Sequence, residues 1–397
     1  MMVWVRGVGF RNKGAELMLH AVVQEVARWG GARLAMAANA GSYAERAPLG
    51  LYQMVSRRGG GRLAAVGALV PRRLRAPLGI VTDAEVGAVL DSSGFAYTDQ
   101  WGAAGARNLA RLARGWRRAG VPAVLLPQAL GPFRDPATRA AFSRALADLP
   151  LVFARDRSSY EHVAGLGVAG ARVELAPDFT VAVPGRLPDG FRPHPRQVAV
   201  VPNLRMTDKA GPDAARAYAS LLTGVVRHLL RRDMRPLLLV HDTGNDHELA
   251  IAVRDAAGGR VPVVAEPDAR ALKGILGASH AVVASRYHAL VGAMTQGVPS
   301  LATGWSHKYR ELFEDFGCPE CLCDAAAPVE ATLERLDALL DGPGRERVAA
   351  GLAAGRADYV RRTTQMWALV RQAVGAAPAP APRPEFEPDP VPAAAGG

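Results

Sequence analysis

The sequence predicts an α/β protein in which two Rossmann-like domains with parallel sheets face each other across a cleft. Three observations lead to this prediction. Short buried runs alternate with helical patterns along the chain, which is typical of parallel sheets. The alternation stops at a polar, proline-broken segment and then restarts, and 397 residues suffice for two domains. Polar and basic residues follow several predicted strands, at the sheet edge where open α/β folds bind ligands.

Residues 1–185 are predicted to form the first domain. Its strands are expected at six apolar runs: Met2–Val5, Arg33–Ala37, Val86–Asp91, Ala123–Pro127, Leu151–Ala154 and Arg172–Ala176. A helix is expected from about Gly14, because apolar residues recur after it at helical spacing. The segment from Pro184 to Pro195 is broken by prolines and predicts an interdomain linker.

Residues 196–344 are predicted to form the second domain. Its strands are expected at Val198–Val201, Pro236–Val240, Pro262–Ala265, Ala281–Ala284 and Ser300–Ala302, and its helices near Pro212–Arg231, Asn245–Ala257, Asp268–Leu276 and His288–Gln296. A last helical region, residues 345–376, is expected to cross back to the first domain. Residues 377–397 are rich in proline and alanine, and this composition predicts a disordered tail.

The composition limits the classes of partner. Hydrophobic residues make up 49% of the chain, which excludes wholesale disorder, and the formal net charge is +11. Such a charge favours an anionic partner or reflects base-composition bias, and no nucleic-acid-binding motif supports nucleic acid. No signal peptide and no apolar stretch of roughly 20 residues is visible. We therefore expect a cytoplasmic protein, with peripheral contact to the inner face of the membrane left open. The oligomeric state is unknown at this stage.

The three cysteines, Cys318, Cys321 and Cys323, lie close together. Three thiols without a nearby fourth ligand are a weak zinc signal. Reduced, partly buried thiols at a strand are the favoured interpretation. Since the acidic residues show no ligand-like clustering either, no metal site is expected.

The most informative stretch runs from Ser285 to Tyr309 and alternates strand, basic turn, helix, strand and basic turn. Its turn residues should lie at the carboxyl edge of a parallel sheet. Arg286, His288, His307 and Lys308 are then expected to converge on one small anion, to which the helix N-terminus adds its positive end. The stretch predicts a site for a phosphate or a carboxylate.

Further polar residues of the second half follow other predicted strands. Asn203 and Arg205 follow the first strand of this half, and His241 ends the next. Taken singly, such an arginine favours an interdomain salt bridge, and His288 favours a core or capping role. Taken together, four strand ends deliver basic residues to one edge, which favours an anion site.

The first half contributes candidates for the opposite wall of the cleft. These are Asn12, Gly14, Ser92, Ser93, Gly94, Gln128 and Arg155. The first glycine-containing turn matches neither a dinucleotide fingerprint nor a Walker loop, so a tight turn with Asn12 as the helix N-cap is an alternative. Asp156 and Ser158 are interpreted as helix caps rather than ligand contacts.

These segments resemble the polysaccharide pyruvyl transferase family. The similarity is most specific in SRYHALVGAMTQGVPSLATGWSHKY (Ser285–Tyr309). Further similar segments are Gly9–Leu17, Ala154–Ser159, Ala176–Thr180 and Pro202–Arg205. The resemblance implies a glycosyltransferase-B-like fold, with the acceptor on the first domain and the donor on the second.

The resemblance also implies a reaction. A pyruvyl group passes from phosphoenolpyruvate to a sugar of a polysaccharide or glycan precursor, giving a pyruvate ketal and phosphate. Phosphoenolpyruvate is a co-substrate, no cofactor is implied, and the acceptor is a glycan or a lipid-linked oligosaccharide. His288 matches the catalytic histidine of the family and Arg205 its donor-binding arginine, while Arg286 and Lys308 match its other basic motif positions.

Two other functions remain open at this stage. A nucleotide-sugar-dependent glycosyltransferase of the same architecture would also place basic residues at this edge. It requires a carboxylate for the ribose, for which Glu266 and Asp268 are candidates. A non-catalytic basic protein that docks on nucleic acid or an anionic membrane would instead show salt-sensitive binding spread over many arginines.

Overall fold

The computed structural model describes residues 1–55, 70–207, 211–242, 244, 246–303, 307–324 and 327–377, without the side chains of residues 211, 212 and 307. The predicted disordered tail lies outside the described residues from 378 onward. The described chain forms two sheets in which every pair of neighbouring strands is parallel. The predicted α/β class is confirmed.

The first sheet has eight strands in the order β4-β3-β2-β1-β5-β6-β7-β8. The strands are β1 (Met2–Arg6), β2 (Arg33–Ala37), β3 (Tyr52–Val55), β4 (Ile80–Thr82), β5 (Val86–Asp91), β6 (Ala123–Gln128), β7 (Leu151–Ala154) and β8 (Arg172–Leu175). The helices of this half are α1 (Lys13–Val26), α2 (Tyr43–Arg46), α3 (Arg72–Arg75), α4 (Ala103–Arg118), α5 (Pro136–Leu146) and α6 (Arg157–Ala164). Because the order reverses at β1, the loops after β1 and β5 flank the point where α/β sheets bind ligands.

The second sheet has six strands in the order β11-β10-β9-β12-β13-β14. They are β9 (Gln197–Val201), β10 (Arg235–Val240), β11 (Val263–Ala265), β12 (Ala281–Ala284), β13 (Ser300–Thr303) and β14 (Leu322–Cys323). The helices are α7 (Gly211–Arg231), α8 (His247–Ala256), α9 (Ala269–Gly277), α10 (Tyr287–Met294), α11 (His307–Asp315), α12 (Val329–Leu340) and α13 (Gly342–Ala373). Every strand predicted from the sequence is present to within one residue at either end.

The last helix, α13, belongs to both hydrophobic cores. Val348, Leu352 and Tyr359 pack in the core of the second sheet, whereas Met366 and Trp367 pack in the core of the first. One helix thus runs from the core of the second sheet to the core of the first. Among the helices in the described part of the chain, none combines the length and the apolar character needed to cross a membrane.

The cysteines are free thiols, and Cys323 lies on a strand as predicted. All three are buried in the second core, more deeply than the partial burial expected. Burial raises the pKa of the Cys323 thiol, so this group stays protonated near neutrality.

Candidate functional site

A cavity of about 960 Å³ lies between the carboxyl ends of the two sheets, and we call it the cleft cavity. Its wall comes from both halves of the chain, which also touch at a β-bridge between Asn12 and Asp242. The basic side chains on its wall are Arg155, Arg205, His241, Arg286, His288 and Lys308. All but one of these lie in the second half, so the positive charge is concentrated on one side of the cavity.

His288 lies in the first turn of α10 and faces a buried carboxylate from the first half. Its Nε2 is 3.3 Å from Oδ2 of Asp178, and Oδ1 of Asp178 accepts hydrogen bonds from the backbone and hydroxyl of Thr180. Burial raises the pKa of Asp178, but His288 and Arg155 outweigh it and hold this pKa well below its usual range. The ionised carboxylate compensates the charge of His288 whenever the ring carries a proton.

Gly14 determines how closely α1 approaches His288. A Cβ atom at this position would lie 2.2 Å from Nδ1 of His288. The Gly14 backbone is held in turn by Asn12, whose side chain accepts from the N–H groups of Gly14 and Ala15. The predicted N-cap is confirmed, and any side chain at position 14 would displace the imidazole.

Arg155 shares the carboxylate of Asp178 with His288. Its Nη1 is 3.4 Å from Oδ2 of Asp178, and its guanidinium lies 4.2 Å from the centre of the Tyr287 ring. Both arginine and tyrosine are buried. This cation–π contact fixes the arginine beneath the first turn of α10.

Lys308, near the start of α11, is surrounded by aromatic rings. Its Nζ is 4.9 Å from the ring centre of Phe95, 5.7 Å from Tyr287 and 5.4 Å from Tyr309. No carboxylate of the described residues forms an ion pair with it. Burial lowers the pKa of Lys308 to about 7, and neighbouring Arg155 lowers it further than Asp156 raises it. A lysine in this state gains most from an incoming anion.

Arg286 reaches the cavity but already has carboxylate partners. Its Nε and Nη2 donate to the two carboxylate oxygens of Asp246 at 2.8 and 2.5 Å, and Asp242 lies 3.5 Å away. Such a two-bond geometry holds the guanidinium plane rigidly. Arg286 therefore organises the turn after β12, and its contribution to anion binding stays a prediction.

Arg205 and Asn203 follow β9, as expected from the sequence, and both line the cavity. The side chain of Asn203 accepts from the backbone N–H of Arg205 at 3.0 Å and donates to the Ser285 carbonyl at 2.7 Å. The amide thus ties the turn after β9 to the turn after β12. This places Arg205 on the same side of the cavity as Arg286.

His241, which follows β10, is 2% exposed, and its ring finds no hydrogen-bond partner among the other described residues. Burial lowers its pKa well below the ordinary value, and the nearby Arg286 and His288 lower it further. The ring is therefore neutral near pH 7. The cavity holds two histidines in different settings, one beside a carboxylate and one without.

The first-half wall is uncharged apart from Arg155. Ser93 and Gly94 line the cavity as predicted, and the side chain of Ser93 is fixed by a 2.6 Å hydrogen bond to Asp91. Phe95 and the half-exposed Trp101 complete this wall. Such a surface suits a neutral polyol better than an anion.

Four interpretations from the sequence need correction. Gly14 does not line the cavity, because it lies against the ring of His288. Ser92 does not line the cavity, because its hydroxyl points to the sulfur of Met18 under α1. Gln128 is fully buried within the sheet and is also absent from the cavity wall. Asp156 does cap α6, but Ser158 instead donates from its backbone and hydroxyl to Glu311. The predicted site residue His307 has its side chain outside the described residues.

Several members of the site were not singled out from the sequence. Asp178 lies in the Ala176–Thr180 segment, after β8, where a polar residue at a strand end was the available signal. Tyr287 and Tyr309 were read as parts of a basic motif rather than as its aromatic frame. The contact of Phe95 with Lys308 joins residues 213 positions apart, and no local pattern reports it.

Comparison with known proteins gives a family and a fold. The family model described as polysaccharide pyruvyl transferase matches residues 88–307, more than half of the chain. No curated protein matches.

Solved structures similar to this chain include S. aureus MnaA with UDP (TM-score 0.60, 10% identity, covering 94% of this chain and 97% of that one). Another is Anabaena HepE with UDP and glucose (TM-score 0.57, 12% identity, covering 94% of this chain and 99% of that one). A third is the Neisseria meningitidis UDP-GlcNAc 2-epimerase bound to UDP-GlcNAc (TM-score 0.56, 10% identity, covering 94% of this chain and 100% of that one). At these identities the likeness concerns the fold alone, and the glycosyltransferase-B-like architecture is confirmed.

Proposed function

The chain belongs to the polysaccharide pyruvyl transferase family, and we propose that it transfers the pyruvyl group of phosphoenolpyruvate to a sugar as a cyclic ketal. The observation that carries this proposal is the asymmetry of the cleft cavity. One wall is strongly basic and holds a His288–Asp178 pair, and the other is uncharged and partly aromatic. A small anion and a neutral sugar would each find a matching wall.

Phosphoenolpyruvate carries a phosphate and a carboxylate on a three-carbon frame. Lys308 and Arg205 are the proposed primary contacts, because arginine and lysine supply charge-assisted hydrogen bonds to oxyanions. Arg155 lies behind them against Tyr287 and adds positive potential. Binding an anion between these groups relieves their mutual repulsion, which supports a donor site on this wall.

Ketal formation needs balanced proton transfers. The methylene carbon of phosphoenolpyruvate gains one proton, the central carbon is attacked by a sugar hydroxyl, and phosphate leaves. A second hydroxyl then closes the ring. The two hydroxyl protons account for the methyl group formed and for the proton released with phosphate. One acid and one base in the cavity suffice for this exchange.

We assign the acid to His288. Its Nε2 lies 3.3 Å from the ionised carboxylate of Asp178, and Gly14 lets the ring sit where it faces the cavity. His241 is the matching candidate for the base, since burial keeps it neutral beside the same cavity. The proposed acid and the proposed base are thus two histidines with different neighbours beside one cavity.

The acceptor is proposed to lie against the uncharged wall. Trp101 is 50% exposed at this wall and offers a flat aromatic face to a sugar ring. Ser93 and Asn12 supply polar groups beside it.

The nucleotide-sugar alternative receives less support from this cavity. Its candidate ribose carboxylates, Glu266 and Asp268, do not line the wall. Asp268 caps α9 and pairs with Arg186, and Glu266 accepts the backbone N–H of Asp268. Both carboxylates thus serve the start of α9.

Calorimetric titration with phosphoenolpyruvate and, separately, with UDP-glucose tests the proposal. We expect saturable phosphoenolpyruvate binding that weakens at least about tenfold in Arg205→Ala, the worth of one charge-assisted hydrogen bond. The exposed Arg260, in the second half and outside the cavity wall, gives a matched control, Arg260→Ala, that should bind normally. Binding of UDP-glucose alone would contradict pyruvyl transfer and favour the glycosyltransferase.

A further inference from the structure

The sequence Arg-Ala-Pro-Leu-Gly occurs twice in the first half, at residues 46–50 and 75–79. Both copies end a short helix with a 3-10 turn and a glycine in the left-handed region, with φ of 63° and 65°. In the first copy Leu49 packs against the core. In the second copy Leu78 is 69% exposed. The same local structure therefore packs its leucine partly against the core once and presents it to solvent once.

Leu78 is not alone. Val70, Leu74 and Leu78 are three of the ten exposed large apolar side chains in the described part of the chain, and they recur every four residues within one short segment. Single exposed apolar residues are ordinary, but a cluster of them marks an interaction surface. We call residues 70–78 the 70–78 surface.

The charged residues within the 70–78 surface are all arginines, and the acidic neighbour that Arg72 contacts, Glu85 at 3.3 Å, lies outside it. Arg72 and Arg73 lie between Val70 and Leu74 and are exposed. The sequence contains no aspartate or glutamate between Glu45 and Asp83. An anionic partner would therefore meet no acidic residue within this stretch of sequence.

The segment is held in place rather than loosely attached. Arg75 is buried, and its guanidinium donates to the carbonyls of Val70 and Ile80 at 3.2 and 3.1 Å. It also forms an ion pair with Glu85, which caps the turn after β4. One arginine turns inward to fix the segment, and the leucines on either side turn outward. Exposure of Leu74 and Leu78 is thus a property of a fixed element.

We propose that the 70–78 surface docks on an anionic membrane. Apolar side chains flanked by arginines suit the interface of a bilayer, where leucines enter the acyl boundary and arginines bind headgroup phosphates. Nucleic acid would use the arginines but leave Leu74 and Leu78 in water. The proposal does not depend on the reaction in the cleft cavity.

Vesicle co-sedimentation of the full chain tests this docking. We expect binding to vesicles of equimolar phosphatidylcholine and phosphatidylglycerol, little binding to phosphatidylcholine alone, and a decrease with salt. Leu74→Ser/Leu78→Ser should weaken binding roughly tenfold or more. Arg72→Gln/Arg73→Gln should weaken it roughly 10- to 30-fold, at about 1 kcal/mol per arginine.

Matched controls lie in exposed positions elsewhere. Leu187→Ser/Leu230→Ser changes two leucines of similar chemistry, and Arg231→Gln/Arg260→Gln removes the same charge from the second half. Both should bind vesicles like the wild type, and thermal unfolding should show every variant folded. Equal losses in controls and 70–78 variants, or no vesicle binding by the wild type, would overturn the proposal. Retention by RNA with leucine-independent affinity would favour nucleic acid instead.

Discussion

His288 is the residue on which the proposed chemistry depends most. Replacing it by glutamine keeps a polar side chain but removes proton transfer, so ketal formation should fall about 10²- to 10⁴-fold. Asp178→Asn should also slow turnover, because the protonated ring loses its compensating charge 3.3 Å away. Phosphate release from phosphoenolpyruvate in the presence of acceptor measures both.

A second histidine–carboxylate pair provides the control. His228 lies 2.8 Å from Asp337, outside the cavity wall. His228→Gln removes a comparable pair and should leave turnover unchanged. A loss well below tenfold in His288→Gln would contradict the acid assignment.

The low pKa of Lys308 predicts that binding of phosphoenolpyruvate is coupled to protonation of this side chain. Its pKa of about 7 makes the free side chain mostly neutral at pH 8. An anion bound beside it raises that pKa, so binding at pH 8 should take up about one proton, and binding at pH 6 should take up little. Calorimetry in buffers of different ionisation enthalpy measures the uptake.

The same shift sets the sign of a stability effect. Since the folded pKa of Lys308 lies below that of the unfolded chain, the unfolded state binds more protons between about pH 7 and 10.4. The contribution of Lys308 to the free energy of unfolding therefore becomes more favourable to the folded state as the pH rises through this window.

Lys308→Arg, which stays charged, is the control for the proton uptake and should bind phosphoenolpyruvate without it. Uptake that persists in Lys308→Arg would assign it to another group.

Gly14 is a positioning residue. Gly14→Ala would place a methyl group 2.2 Å from Nδ1 of His288, so the ring must move and turnover should fall at least about tenfold. Stability should change little, since alanine suits a helix better than glycine. The kinetic readout should be a lower kcat with a nearly unchanged KM for phosphoenolpyruvate.

A helical glycine with more room tests whether the effect is specific. At Gly292, in α10, an added Cβ would meet Leu276 at an ordinary 3.5 Å. Gly292→Ala should keep wild-type turnover. Equal kcat values in the two variants would show that close approach of α1 does not set the position of His288.

At the scale of elements, the first turn of α1 binds the two halves together. Nζ of Lys13 donates to Glu16 at 2.6 Å and to the Pro267 carbonyl at 2.5 Å, while Glu16 accepts the backbone N–H of Ala269 at 3.2 Å. Lys13→Met leaves the buried carboxylate unpaired and should cost about 3–5 kcal/mol. Lys13→Met/Glu16→Gln should regain most of this, because a neutral amide still accepts from Ala269. Urea unfolding measures both.

A pair at the end of the same helix, in which only the carboxylate is buried, is the control. Arg28 lies 3.4 Å from Glu25, and its side chain is largely solvent-accessible. Arg28→Met should cost less than about 1 kcal/mol. If Lys13→Met costs no more than this, the buried pair does not hold the halves together.

The same region contains a group of possible metal ligands. Ligand atoms of Glu16, His20 and Asp268 lie within 4.8 Å of one another. Lys13 already neutralises Glu16, and Arg186 pairs with Asp268 at 2.6 Å. The group is explained as part of the contact between α1 and α9.

The elements that the sequence predicts well are those with an unbroken apolar run. Strands buried on both faces, such as Leu151–Ala154 and Ala281–Ala284, have this pattern and were predicted with correct ends. Tyr52–Val55, Ile80–Thr82 and Leu322–Cys323 were missed, because they have only two to four residues and lie at or beside a sheet edge. In the site, basic residues at strand ends were predictable. Their carboxylate and aromatic partners were not, since these come from distant segments.

At the scale of the whole molecule, α13 makes the two cores interdependent. Its first part packs on the second sheet. Further along, Trp367 packs edge-on against Phe179, which follows Asp178 in the chain, with 5.6 Å between the two ring centres. Trp367→Ala should cost about 3–5 kcal/mol. It should also separate unfolding into two transitions, because the first half loses the largest side chain by which the helix packs into its core. Fluorescence and circular dichroism during urea unfolding report whether the transitions coincide.

Val360→Ala changes an exposed residue on the same helix and should leave one transition at nearly the wild-type midpoint. A shift of Phe179 would also move Asp178 and with it His288, so Trp367→Ala should lower turnover at urea concentrations where the protein is still folded. A single transition with full activity in Trp367→Ala would mean that contacts across the cleft, such as the bridge between Asn12 and Asp242, join the two halves without Trp367. Loss of both cooperativity and turnover would instead show that one helix keeps the basic wall and the uncharged wall in register.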